Sequence, residues 1–216
     1  MKMSNFLLSV VACLALGLAV GSSSMVMSRA GTSVISVPAE IGGTGGGLAI
    51  KLPSNLTSQQ AMLLALAYDI AKKDGHRYPQ LLQGILLQET RAGEMDSYKV
   101  AGQEFGLKTN ERYYGIMQIK LSAAKDVLTR YPALRNDFGF HTRTDEEIIA
   151  KLIENQEFNL SVASKYLLVL KTSGYDTVKQ LALAYNQGAG GARAKNPETN
   201  HYSLGVMANI QKLSGG

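Results

Sequence analysis

The chain has one cysteine, five prolines and no tryptophan among its 216 residues. The lone thiol, Cys13, sits inside the first hydrophobic run, which excludes both a disulfide scaffold and a Cys-based zinc site. So few prolines beside 22 glycines match neither collagen nor a proline-rich linker. With 45% hydrophobic and 18% charged residues, the chain is neither a disordered polar polymer nor a multi-span membrane protein. It has no basic run of five or more, and its net charge is only +5, too small and too scattered to argue for nucleic-acid binding. At this length one core of ordinary domain size is expected, held by packing alone.

The first 30 residues are distinctive. Lys2 precedes an apolar run from Phe6 to Val20, and Gly21-Ser22-Ser23-Ser24 follows it. A basic start, an apolar stretch and small residues together read as a secretory signal peptide. Fifteen residues rise only about 22 Å as a helix, short of a hydrocarbon core of about 30 Å, so a cleaved signal is favoured over a permanent anchor. A lipid-attachment box at Val10-Val11-Ala12-Cys13 is disfavoured because the apolar run continues past Cys13. Removal of residues 1–30 takes away Lys2 and Arg29 and leaves 20 basic against 17 acidic residues, a mild +3 that suits an anionic polymer such as cell wall. Residues 31–56, with Gly42-Gly43-Thr44-Gly45-Gly46-Gly47, read as a flexible tether, and residues 57–216 as the folded domain.

Within that domain the periodicity is helical. Thr57-Ser58-Gln59-Gln60 has capping-box spacing, and Leu63, Leu66, Ala67 and Ile70 follow at helical period until Lys72, Lys73 and Gly75. Pro79 stands where a first helical turn tolerates it. Leu82, Ile85, Leu86 and Glu89 then fall at i, i+3, i+4 and i+7, which puts Glu89 on an apolar face. A third helix is expected from Ser122 to Leu128. Thr144-Asp145-Glu146-Glu147 reads as a second capping box ahead of Ile148, Ile149, Leu152 and Ile153. Further helical stripes pass through Val162, Ala163, Tyr166, Leu167 and Leu170, through Val178, Leu181, Ala182 and Tyr185, and through Val206, Ile210 and Leu213. No alternating strand stands out, and the intervening stretches 91–114, 130–143 and 186–201 read as loops. The expected fold is all-α.

Three short stretches carry candidate chemistry. Burial disfavours an ionised carboxylate, so a Glu89 half-sunk at a helix end can stay protonated near neutral pH, as a general acid requires. In Tyr113-Tyr114-Gly115-Ile116-Met117-Gln118, glycine allows close backbone approach and glutamine offers a paired donor and acceptor for sugar hydroxyls or amides. In Ala184-Tyr185-Asn186-Gln187-Gly188-Ala189-Gly190, a helix carries a tyrosine on its inner face and then breaks. Tyr113, Tyr114, Tyr185 and Tyr202 could stack on sugars, Tyr185 first, whereas Tyr68 and Tyr166 read as core. His76, His141 and His201 are far apart and no Asp-rich calcium loop is present, so no metal and no cofactor are expected.

Taken in order, these pieces resemble the SLT-type (family 1) lytic transglycosylases of the lysozyme-like superfamily. Leu87-Gln88-Glu89-Thr90 is similar to the family's Glu-Ser at a helix end, and Gly115-Ile116-Met117-Gln118 to its Gly-Leu-Met-Gln. The stretch from Asn159 to Tyr166-Leu167 is similar to its Asn-Ile…Gly…Tyr-Leu. Leu183-Ala184-Tyr185-Asn186-Gln187-Gly188 and Tyr202 complete the series, which covers about residues 75–213. Thr90 stands where serine is usual, Ala189-Gly190 stands for Pro-Gly, and the 26 positions from Glu89 to Gly115 are more than the family pattern leads one to expect.

The resemblance implies a lysozyme-like fold with Glu89 as the single catalytic acid/base. It implies substrate contacts at Thr90, Gly115, Met117, Gln118, Tyr185, Asn186 and Tyr202. The implied reaction is non-hydrolytic cleavage of the bond between N-acetylmuramic acid and N-acetylglucosamine in periplasmic peptidoglycan, giving 1,6-anhydro ends. Implied partners are glycan strands and the proteins of a secretion, conjugation or pilus apparatus; the membrane is a partner only if the N-terminal segment stays uncleaved. Two rivals remain. A hydrolytic lysozyme would need a second carboxylate, for which Glu94, Asp96 and Glu104 are nearest in sequence. A non-catalytic wall-binding assembly factor is the other, and the presence of Glu89 argues against it.

Overall fold

A computed structural model describes residues 56–95, 99–141 and 144–214. The segments read as signal and tether lie outside these residues, apart from Leu56. Most described residues are helical, as the periodicity leads one to expect. Helix α1 (Ser58–Lys73) starts at the expected capping box: the Thr57 hydroxyl accepts from Gln60 N at 3.2 Å, and Gln60 Oε1 accepts from Thr57 N at 2.9 Å. The amide of Gln60 also donates to Arg91 O at 2.8 Å, tying the start of α1 to the end of α2.

Helix α2 (Gln80–Thr90) is enclosed nearly all round, with Leu81, Leu82, Gln83, Gly84, Ile85 and Leu86 buried. Its partner is α8 (His201–Leu213), and two glycines set how closely they lie. A Cβ on Gly84 would sit 2.7 Å from Ile210 Cγ1 and 3.0 Å from Val206 O, and one on Gly205 would sit 2.5 Å from Gln88 Oε1. The Asn209 amide donates to Gly84 O at 3.2 Å across the same seam. Helix α2 then stops abruptly: Arg91 (φ 52), Ala92 (φ 56) and Gly93 (φ 82) are all left-handed, a conformation that costs the two non-glycine residues about 1–2 kcal/mol each. Ala92 is wholly buried, and its N–H returns to Leu86 O at 3.2 Å.

The region after α2 corrects the sequence reading. A small antiparallel sheet forms from β1 (Val100–Ala101), β2 (Tyr113–Tyr114) and β3 (Ile119–Lys120), with Val100 opposite Tyr114 and Tyr114 opposite Ile119. Strands of two residues are too short to show alternation, which is why the sequence hides them. Helix α3 (Leu121–Arg130) runs slightly longer than expected at both ends, and a five-residue α4 (Ala133–Asp137) occupies the stretch read as a loop. Thr144 caps α5 (Asp145–Glu154) by accepting from Glu147 N at 3.3 Å, while Glu147 Oε1 takes the His141 N–H at 2.7 Å.

Helix α6 (Gln156–Thr172) is the second central helix and is buried over most of its length. Phe138 and Phe140 both pack on Phe158, each with ring centroids 5.2 Å apart. Helix α7 (Val178–Ala192) breaks at Gly188 (φ 71, ψ 160), as the Asn-Gln-Gly stretch led one to expect, but then resumes as a further short turn. Ser203 Oγ donates to Lys179 O at 3.1 Å and joins α8 to α7. Together α2, α7 and α8 converge where α2 ends.

Candidate active site

Glu89 occupies the last turn of α2, half-buried, where i+7 spacing from Leu82 brought it. Its carboxylate Oε1 accepts a hydrogen bond from the Tyr202 hydroxyl on α8. Burial raises the Glu89 carboxyl from 4.5 to about 7, and the Tyr202 bond, which favours the anion, opposes part of that rise. At neutral pH the group therefore populates both the acid and the carboxylate.

A buried tyrosine, Tyr185, and the half-buried Tyr202 complete the surroundings. Tyr185 on α7 donates to Met117 O at 2.8 Å and meets Tyr166 edge-on, with ring centroids 5.7 Å apart. Burial holds the Tyr185 hydroxyl well above its ordinary range, and the neighbouring Glu89 charge pushes it further; Tyr202 is raised for the same two reasons. Both remain neutral hydrogen-bonding groups beside Glu89. Tyr166, read from sequence as core, is half-buried and packs against the hydrophobic core as well as against Tyr185.

The turn between β2 and β3 is held by one buried amide. Asn159 on α6 donates to Tyr114 O and to Leu152 O, each at 3.0 Å, and accepts from Met117 N at 2.8 Å. Gly115 (φ 71) lies so close to it that a Cβ would stand 2.1 Å from Leu152 O and 2.2 Å from Asn159 Nδ2. Gln118 (φ 49) bonds back to Gly115 O through its amide at 2.9 Å and through its N–H at 3.0 Å. Thr90 Oγ1 donates to Ile116 O at 2.9 Å and accepts from Gly93 N at 3.1 Å, joining this turn to the end of α2.

The eight residues expected at the site thus fall into two groups. Thr90, Gly115 and Met117 are wholly buried, with their polar groups committed within the protein, so they build the site rather than touch a ligand. Tyr185 is 9% exposed with its hydroxyl committed to Met117 O, which makes it part of the wall rather than the leading stacking surface. Glu89, Gln118 and Tyr202 are half-buried and Asn186 is exposed, so these four present surface to solvent. Tyr114 is core, its hydroxyl donating to Thr109 O at 2.8 Å. The role of Asn159 in holding the turn was not legible, because its three partners lie on three separate segments.

Glu94 and Glu104 are exposed, and Asp96 lies outside the described residues. Among the described residues, no group of three His, Cys, Asp or Glu side chains gathers as a metal ion requires. No family model, curated protein sequence or solved structure matches the chain.

Proposed function

We propose that this protein is a peptidoglycan lytic transglycosylase with a lysozyme-like helical domain, and that Glu89 is its single acid/base. The observation that carries this reading is a half-buried carboxylic acid at a helix end, raised to about 7 and bonded by Tyr202. As the acid, Glu89 protonates the glycosidic oxygen that leaves C1 of N-acetylmuramic acid, and the N-acetyl group of the same sugar stabilises the developing cation. As the carboxylate, it takes the proton from the muramoyl 6-hydroxyl, which closes on C1 to give the 1,6-anhydro ring. No water is consumed, and the proton Glu89 gives in the first step returns in the second.

One-carboxylate chemistry is favoured over hydrolysis by the surroundings. A hydrolase needs a second carboxylate about 5–9.5 Å away. Of the three candidates, Glu94 and Glu104 are exposed and Asp96 lies outside the described residues, while the Glu89 shift arises from burial and Tyr202. Tyr202 suits the double role, since its hydroxyl stabilises the anion between the two proton transfers. Gln118 and Asn186 are the amide side chains of the expected site that reach solvent, where they suit the substrate's hydroxyl and N-acetyl groups. The signal-like N terminus supports export to the periplasm, where the glycan strands are, and a wall-opening enzyme of this kind would serve a secretion, conjugation or pilus apparatus.

The test is mass spectrometry of muropeptides released from purified peptidoglycan by residues 31–216, with Glu89→Gln in parallel. Anhydro products one water lighter than hydrolysis products, absent with the variant, are expected. Reducing-end products would make the protein a hydrolase. No products from either protein would return it to the class of wall-binding factors.

A further inference from the structure

We propose that a cavity at the opposite end of α2 from Glu89 captures the free carboxyl terminus of a partner protein whose last side chain is aliphatic. Leu81 and Glu89 are eight residues apart along the helix, about 12 Å at 1.5 Å per residue, and the cavity shares no residue with the Glu89 pocket. The inference therefore stands apart from the function proposed for that pocket.

The cavity has a volume of about 370 Å³, enough for a terminal residue and part of its neighbour. Its floor includes Leu81, Leu167 and Leu181, drawn from three helices and all buried. On the rim stand Arg77 and Lys171, both exposed, and neither forms an ion pair among the described residues. The Arg77 guanidinium is held 5.2 Å from the centroid of the Tyr78 ring, which restricts it before any ligand arrives. Two neighbouring cations beside an apolar floor match a carboxylate next to an aliphatic side chain.

Besides the Tyr78 hydroxyl, the cavity offers two acceptors, on His76 and Asp176. His76 Nε2 lies 3.1 Å from Ser164 O and 3.0 Å from Ser164 Oγ. A carbonyl only accepts, so Nε2 carries the hydrogen. Ser164 Oγ in turn donates to Asp74 Oδ2 at 2.6 Å, and Lys165 holds Asp74 Oδ1 at 2.6 Å. This chain fixes the imidazole and leaves Nδ1, on a ring that lines the cavity, as an uncommitted acceptor. Asp176 lines the cavity too, with no basic side chain paired to it among the described residues. A terminal peptide segment brings one carboxylate for the two cations and backbone N–H groups for these two acceptors. The acyl chains of an anionic lipid exceed this volume.

The probe is a fluorescein-labelled pentapeptide, Ser-Ala-Ser-Ala-Leu, with a free carboxyl terminus, titrated with the full chain and followed by fluorescence anisotropy. Saturable binding is expected, weakened at least about tenfold when the terminus is amidated or the last residue is changed to aspartate. The double variant Arg77→Gln/Lys171→Gln is expected to bind at least about tenfold more weakly, with unchanged melting temperature and unchanged action on peptidoglycan. The amidated probe needs no altered protein, so the test holds whatever the variant's stability. Equal binding of acid and amide, no binding of the acid, undiminished binding by the variant, or displacement of the probe by phosphatidylglycerol vesicles would each overturn the proposal.

Discussion

The hydroxyl of Tyr202 donates to the carboxylate of Glu89 across 113 residues of sequence. The two meet because α8 lies against α2 with Gly84 and Gly205 at the contact, where a Cβ on Gly84 would press on Ile210 and the Val206 carbonyl. The closeness of the two helices thus brings a hydrogen-bond donor to an acid whose protonation is governed first by burial.

Replacing Tyr202 with phenylalanine removes the group that favours the ionised form and leaves burial to act alone. The Glu89 carboxyl then rises above about 7. A hydrogen bond to a charged group is worth about 1.5–3 kcal/mol, so the alkaline limb of the pH–rate profile is expected to move up by about one pH unit or more. An unmoved limb would mean that Tyr202 does not act through Glu89.

Glu89→Gln is expected to abolish cleavage and to stabilise the fold above neutral pH. Between pH 4.5 and about 7 the folded protein keeps a proton that the unfolded chain has lost, so wild-type stability falls as pH rises through that window and then levels off. The full difference is about 3 kcal/mol, absent below pH 4.5. The amide does not titrate. The gap in melting temperature between variant and wild type should therefore widen from pH 4.5 to 8, and a gap that stays constant would contradict the burial of this acid.

Thr90 shows why a hydroxyl is needed beside the acid. Its Oγ1 bonds to Ile116 O and Gly93 N in a buried setting, so Thr90→Val should cost about 2–3 kcal/mol in urea unfolding. Thr90→Ser keeps both bonds and should cost about 1 kcal/mol for the lost methyl group. A valine variant as stable as the serine variant would remove this link between α2 and the β2–β3 turn.

Asn159 and Gly115 form one packed joint. Asn159→Ala breaks three buried hydrogen bonds and should cost about 3 kcal/mol or more, while Gly115→Ala meets a carbonyl at 2.1 Å in a left-handed backbone and should cost at least as much. Thermal unfolding of both variants checks this. A Gly115→Ala protein melting as wild type would show that the turn has room the structure denies it.

Local signals were legible where the physics is local. The Thr57–Gln60 box, the stop after Lys73, the apolar face carrying Glu89 and the break at Gly188 all depend on residues within one or two turns, and each lies where the sequence placed it. The sheet escaped notice because strands of two residues carry no alternation, and α4 because five residues carry barely one helical period. The motif positions of Thr90, Met117 and Tyr185 imply ligand contacts, yet motif position cannot separate a side chain that faces a ligand from one that builds the wall behind it.

By itself the sequence determined that this chain folds as helices and that a glutamate ends one of them on its apolar side, because helical period and capping act over a few neighbouring residues. Only the tertiary structure decided that this glutamate is desolvated, that Tyr202 reaches it, and that Asn159 holds the opposing turn. Desolvation and hydrogen bonding depend on what other helices bring within a few ångströms, and no spacing along the chain encodes that distance.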